Sequence, residues 1–78
     1  MNTTHNPLLG LRAIAALQAL PADQRAAIRG LLLELSTDAA TRAETSWRKH
    51  KAPMATYWKA VGVYAKHTAR AINQGGRR

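Results

Sequence analysis

A row of apolar residues at helical spacing constrains the fold of this sequence more than any other feature. Its members recur mostly at intervals of three or four residues, whereas the neighbouring charged residues fall largely on other faces. Pro53 ends the pattern, because the residue before a proline disfavours the α conformation. The sequence therefore predicts one long helix over about residues 22–51. The apolar row consists of Ile28, Leu31, Leu32, Leu35, Ala39, Ala43 and Trp47.

Shorter apolar rows flank the long helix on both sides. The first predicts a short helix over about residues 7–19, with Asn6 as its N-cap and a proline at its first position. The second, from Met54 to Ile72, predicts a third helix that restarts at Pro53. Strand-like alternation does not occur in the sequence. The predicted fold class is all-α, with a short helix, a long helix and a third helix after Pro53.

The chain is expected to form one domain with a thin core. We predict a single helical domain over residues 7–74, a disordered segment at 1–6 and a flexible basic tail at 75–78. A chain of 78 residues buries only about 60% of the surface that its unfolded form exposes, and the absence of cysteine excludes a disulfide. Self-association is then the expected way to supplement the core.

The length of the predicted long helix also favours self-association. A helix over 22–51 would extend about 45 Å, whereas a compact globule of this size has a radius of gyration of about 11–12 Å. Either Gly30 breaks the helix or a second copy covers its apolar row. We expect the second copy, in a two-fold homodimer of the helical-hairpin type, because alanines near the middle of the helix allow another helix to approach closely. The predicted core and dimer residues are Leu31, Leu32, Leu35, Ala39, Ala43, Trp47 and Trp58.

Positive charge is concentrated in the C-terminal part of the chain. The net charge is +8, and residues 1–46 carry as many acidic as basic side chains, so the whole excess falls after residue 46. Lys59, Lys66 and Arg70 share one face of the predicted third helix, to which we also assign Gly62. This asymmetry favours an anionic partner.

Catalytic and metal-binding patterns are weak. Ser46 and His50 stand four residues apart on the predicted long helix, but no third group orients the imidazole and no glycine-rich elbow is present. The histidines share no ligand spacing, and a metal site needs three or four convergent ligands. We therefore predict a protein that is not an enzyme and that has no cofactor and no metal site.

The basic and aromatic segment at 47–64 allows two interpretations. Lysines and arginines bind phosphates and exposed aromatic rings stack on bases, so the segment is typical of a nucleic-acid-binding surface. Trp47 and Trp58 nevertheless fall on the apolar faces of their predicted helices, which favours a structural role for the indoles in the core. Membrane binding ranks below both, because small and polar residues dilute the apolar face. The predicted partner-binding residues are Arg48, Lys49, His50, Lys51, Tyr57, Lys59, Tyr64, Lys66 and Arg70.

Three stretches of the sequence carry a resemblance to a known group of proteins. These are an N-terminal "NPL", then "ALPADQRAAIRGLLLEL", then "AETSWRKHKAPMATYWKAVGVYAKHTARAI". Together they resemble the small early accessory proteins of transposable, Mu-like bacteriophages of Pseudomonas. That group includes a quorum-sensing anti-activator, a small helical dimer that binds the host's LuxR-type regulator and the type IV pilus assembly ATPase.

The resemblance implies a noncatalytic, phage-type interaction protein that binds a host protein and inhibits or redirects it. A transcriptional regulator or a pilus ATPase would be such a target. The alternative, from the residues alone, is a basic module that binds DNA or RNA. The sequence shows no secretion signal at its N-terminus and no apolar run of the roughly 20 residues that span a bilayer. We therefore expect the protein in the cytoplasm, that of the host cell if a phage encodes it, and no membrane partner.

Overall fold

The structure, a computed structural model, describes residues 7–75 and the side chains of residues 7–73. This part of the chain forms a 3-10 turn at Pro7–Gly10 and three α-helices, which are α1 at Arg12–Gln18, α2 at Ala22–Arg48 and α3 at Ala52–Gly75. No strand occurs within it, so the predicted all-α class is confirmed. The predicted disordered segment at 1–6 and residues 76–78 of the predicted tail lie outside the described residues.

The first helix begins later than predicted. Pro7 opens the 3-10 turn, in which the amide of Leu11 donates to the carbonyl oxygen of Leu8 at 3.0 Å. Leu11 then takes an extended conformation (φ −88°, ψ 141°) and is the N-cap of α1. The low helix propensity of Gly10 favours a break at this point. The prediction of one continuous helix from Pro7 is therefore wrong, and its predicted N-cap, Asn6, lies outside the described residues.

Helix α2 continues through Gly30 without a break but ends earlier than predicted. Beyond its last residue, the amide of His50 donates to the carbonyl oxygen of Trp47 at 3.0 Å, and the amide of Lys51 to that of Ser46 at 2.8 Å. His50, whose amide donates the first of these bonds, has a φ of 61°. This is a Schellman motif, in which the left-handed position usually belongs to glycine. The motif reverses the chain directly into α3.

Helices α2 and α3 form an antiparallel hairpin whose backbones approach closely at Gly62. The hydroxyl of Ser36 donates to the carbonyl oxygen of Gly62 at 3.0 Å. A Cβ at Gly62 would lie 3.3 Å from the carbonyl oxygen of Ser36 and 3.5 Å from the Cβ of Ala39. All three residues are buried. Gly62 shares the side of α3 that carries Lys59 and Lys66, but it lies against α2 instead of in solvent, because its missing side chain is what admits α2.

Helix α3 is the central element, since α1 packs on it as well. The side-chain amide of Gln18 donates to the carbonyl oxygen of Ala71 at 2.8 Å and ties the end of α1 to the last turns of α3. Ile14 of α1 is buried, as are Ala71 and Ile72 of α3. The short helix therefore covers the C-terminal half of α3 and leaves the half near the α2–α3 turn to α2 alone.

The core of the single chain is small. Its buried hydrophobic residues are mainly alanines, and Ile72 is the largest side chain that is fully buried. The radius of gyration of 14.3 Å exceeds the value of about 11–12 Å for a compact globule of this length. Trp47, predicted for the core and dimer interface, is 66% exposed and therefore lies outside the core of the single chain. Of the other predicted core and dimer residues, Ala39 is buried, Leu32, Ala43 and Trp58 are half-buried, and Leu31 and Leu35 are exposed.

Candidate binding site

A groove opens along one side of the α2–α3 hairpin. We call it the Trp47 groove; its volume is about 570 Å³. Its floor consists of small residues because the close approach at Gly62 requires them there, and larger side chains from both helices form its walls. The lining residues are Ser36, Ala40, Ala43, Glu44 and Trp47 from α2, and Ala55, Thr56, Trp58, Lys59, Gly62, Val63 and Lys66 from α3.

The two tryptophans of this groove are held very differently. The guanidinium carbon of Arg42 lies 5.3 Å from the centroid of the Trp58 ring, and Tyr57 meets the same residue edge-on at a centroid distance of 5.1 Å. These contacts, together with half-burial, fix the indole of Trp58. Trp47 takes part in neither contact and exposes two thirds of its surface. Trp58 is therefore a structural wall, whereas Trp47 is available to a partner.

The charges at the groove come from both helices. Lys59 and Lys66 line it from α3, and Glu44 lines it from α2. The two lysines are seven residues apart, which places them two helical turns, or about 10.5 Å, apart along the α3 axis. No acidic residue follows Glu44 in the sequence, so α3 supplies no carboxylate of its own to neutralise this row. The α3 side of the groove is positive and the α2 side carries one negative group.

The opposite side of the hairpin has a second groove of about 480 Å³, which we call the Tyr64 groove. None of the described residues that line it is charged. Tyr57 and Tyr64 are 55% and 61% exposed at this groove, and Leu35 is 43% exposed. The hydroxyl of Thr68 is satisfied by the carbonyl oxygen of Tyr64 at 2.8 Å. Its lining residues are Leu32, Leu35, Tyr57, Ala60, Val61, Tyr64, Ala65 and Thr68.

The structure distributes the predicted partner-binding residues over three places. Lys59 and Lys66 line the Trp47 groove, whereas Tyr57 and Tyr64 line the Tyr64 groove. Arg70 is four residues after Lys66 on the exposed surface of α3 and extends the same helical row. Arg48, Lys49, His50 and Lys51 are exposed at the end of α2 and in the turn that follows it. The predicted residues thus do not form one continuous site.

Sequence reasoning missed part of the Trp47 groove. Ser36, Ala40, Thr56 and Val63 were not predicted as site residues, yet all of them line it. The available signal was the spacing of small residues on α2, at positions 36, 39, 40 and 43. The alanines at 39, 40 and 43 were predicted to admit a second copy, but α3 of the same chain contacts Ala39.

The described residues show no arrangement typical of a catalytic or metal centre. Ser46 and His50 do not share a helical face, because α2 ends before His50. No three histidine, aspartate or glutamate side chains within the described part of the chain converge as metal ligands. None of the helices between residues 7 and 75 has the length and apolar character that crossing a bilayer requires. Comparison with known proteins finds no matching family model, no matching curated protein and no matching solved structure.

Proposed function

We propose that this protein is a noncatalytic interaction protein of the phage type, which binds a host protein and inhibits or redirects it. A transcriptional regulator or a pilus ATPase is an example of the target class. The observation that carries the proposal is the exposed Trp47 at the wall of a groove with a small apolar floor. Tryptophan is one of the residue types enriched in binding hot spots, which lie in pockets that lose their water on binding.

The proposal includes a homodimer formed through the Tyr64 groove. Among the described residues few large side chains are buried, while Leu35, Tyr57 and Tyr64 are exposed at this groove. A second copy would cover these residues without burying any charge lining the groove. The two copies would then present their Trp47 grooves on outer surfaces, free for a host protein.

The test is a comparison of wild-type protein with Trp47→Ala. Tagged protein is incubated with nuclease-treated host lysate, the retained proteins are identified by mass spectrometry, and the most enriched one is purified for a direct affinity measurement. We expect Trp47→Ala to weaken that affinity about 30-fold or more, as hot-spot truncations do. Leu11→Ala is the matched control, because Leu11 is also exposed and apolar but lies outside both grooves. Equal affinities for wild type and Trp47→Ala would contradict the proposal.

A second candidate is a nucleic-acid-binding module, favoured by the exposed indole of Trp47 beside Lys59 and Lys66. Titration of the protein with DNA and RNA at about 50 and about 200 mM salt measures the affinity and its salt dependence, and so distinguishes this function from host-protein binding. This function requires tight binding that weakens steeply with salt and is lost when Lys49, Lys51 and Lys59 are reversed to glutamate. Weak binding with a shallow salt dependence would exclude it.

A further inference from the structure

We infer that the Trp47 groove recognises an amphipathic helix of its partner that carries acidic residues two turns apart. This inference rests on the proposed function and specifies the chemistry of the partner. It follows from the shape of the floor, the position of the lysines and the single acidic residue on the opposite wall.

The floor of the groove fits apolar side chains. Ala40, Ala43 and Ala55 line it together with Gly62, and none of them projects a long or charged group. Trp47 bounds one end of this floor on α2. A helix that lies between two helices buries side chains at spacings of three, four and seven residues into such a depression. The partner residues expected here are leucine, methionine or phenylalanine.

The lysines determine the charge of the partner. Lys59 and Lys66 face the same groove from α3 at an axial separation of about 10.5 Å. Carboxylates at positions i and i+7 of a helix running beside α3 have the same separation, so one helix can meet both lysines at once. Glu44 on the other wall disfavours acidic residues there. The matching helix is therefore apolar where it faces the floor and acidic on its α3 side only.

A nucleic acid matches this groove less well than an acidic helix does. The affinity of a nucleic acid comes mainly from several phosphate contacts. Among the described residues two lysines line the groove, and Glu44 on the other wall opposes a phosphate chain. The apolar floor would also remain uncovered by a phosphate backbone. Stacking on Trp47 is one contact that a base could make.

The experiment uses a panel of synthetic helical peptides that share one leucine stripe and differ only at two flanking positions seven residues apart. These positions carry Glu, Gln or Lys, and the affinity of each peptide for the full-length protein is measured by calorimetry at low salt. We expect the Glu peptide to bind at least fivefold tighter than the Gln peptide and the Lys peptide to bind weakest. Amide shifts in NMR spectra should locate the Glu peptide at Lys59, Gly62 and Lys66.

Variants of the protein test the same charge preference by changing the lysines instead of the peptide. Lys59→Gln with Lys66→Gln should remove the preference for Glu over Gln, and Lys59→Glu with Lys66→Glu should reverse it in favour of the Lys peptide. Lys49→Gln with Lys51→Gln is the matched control, because it removes the same charge from the turn outside the groove. This control should retain the full preference.

Four results would overturn the inference. The first is equal affinity for all peptides, and the second is no binding by any of them. The third is loss of the preference in the Lys49/Lys51 control. The fourth is displacement of a fluorescently labelled Glu peptide by an oligothymidylate at lower concentration than by the unlabelled Glu peptide. Failure here remains distinct from failure of the proposed function. If the purified host protein still binds in a Trp47-dependent manner while the peptides show no charge preference, the interaction function stands and the acidic helix is excluded.

Discussion

The two sides of the α2–α3 hairpin come from the same pair of helices but differ in chemistry. The Trp47 groove combines an exposed indole with lysines and a glutamate, whereas the Tyr64 groove is lined by aliphatic residues, tyrosines and a threonine. Both follow from the antiparallel contact at Gly62, because a helix that approaches at one narrow strip leaves a depression on each side. This difference is the basis of the two partners proposed above, an acidic helix on one side and a second copy of the chain on the other.

The strongest test of this division is a pair of substitutions matched for exposure. Leu35 is 43% exposed in the Tyr64 groove, and Val63 is 44% exposed in the Trp47 groove. We expect Leu35→Asp to weaken dimerisation by about 10²–10⁴-fold, since a two-fold interface loses about 1.5–3 kcal/mol of burial twice. Analytical ultracentrifugation measures this. Val63→Asp should leave the dimer intact and weaken binding of the Glu peptide.

The oligomeric state tests the assignment of each groove separately. A monomeric wild-type protein at micromolar concentration would show that the Tyr64 groove is not a dimer surface. Dissociation of the dimer by Val63→Asp, with Leu35→Asp behaving as wild type, would place self-association on the Trp47 side and reverse the assignment of the two grooves.

The contact that separates the two grooves is the next target. Gly62→Val introduces a branched side chain where a Cβ alone would already lie 3.3 Å from the backbone oxygen of Ser36. We expect a loss of about 2 kcal/mol in the free energy of unfolding, because neither helix backbone can move without disturbing the other. Gly30→Val is the matched control, since a Cβ there meets nothing within 4 Å. Urea denaturation followed by circular dichroism compares both, and equal stability of the two variants would contradict the close packing.

Much of the hairpin was predictable from the sequence, because its helices are long and their apolar spacing is regular. Proline chemistry also predicts a break near Pro53, although the structure places it at residues 49–51 and begins α3 at Ala52. The distribution of the site residues over the two grooves was harder to predict from the sequence. Gly62 has no side chain that reveals its face, and the apolar row through Trp47 does not show which of its members α3 covers. Residues at the edge of a contact, such as Trp47 and Leu31, keep helical spacing while remaining exposed.

The left-handed residue in the turn was also beyond sequence reasoning, for a specific physical reason. Glycine or asparagine usually marks a helix C-terminus of this kind, and His50 offers neither signal. The α2 boundary was therefore placed near the proline, although the backbone bonds of the Schellman motif end the helix at Arg48.

The smallest expected effect concerns this turn, which belongs to neither side of the hairpin. His50→Gly should increase the free energy of unfolding by about 1 kcal/mol, because glycine takes a φ of 61° without the steric cost of a Cβ. His50→Ala is the control: it removes the imidazole but retains the Cβ, so it should give no such gain. Thermal denaturation of both variants measures the difference. Affinity for the Glu peptide should stay within twofold of wild type in both variants, since His50 does not line the Trp47 groove. If both variants instead lost affinity for the Glu peptide about tenfold, the binding surface would include the turn, and the imidazole of His50 would be part of it.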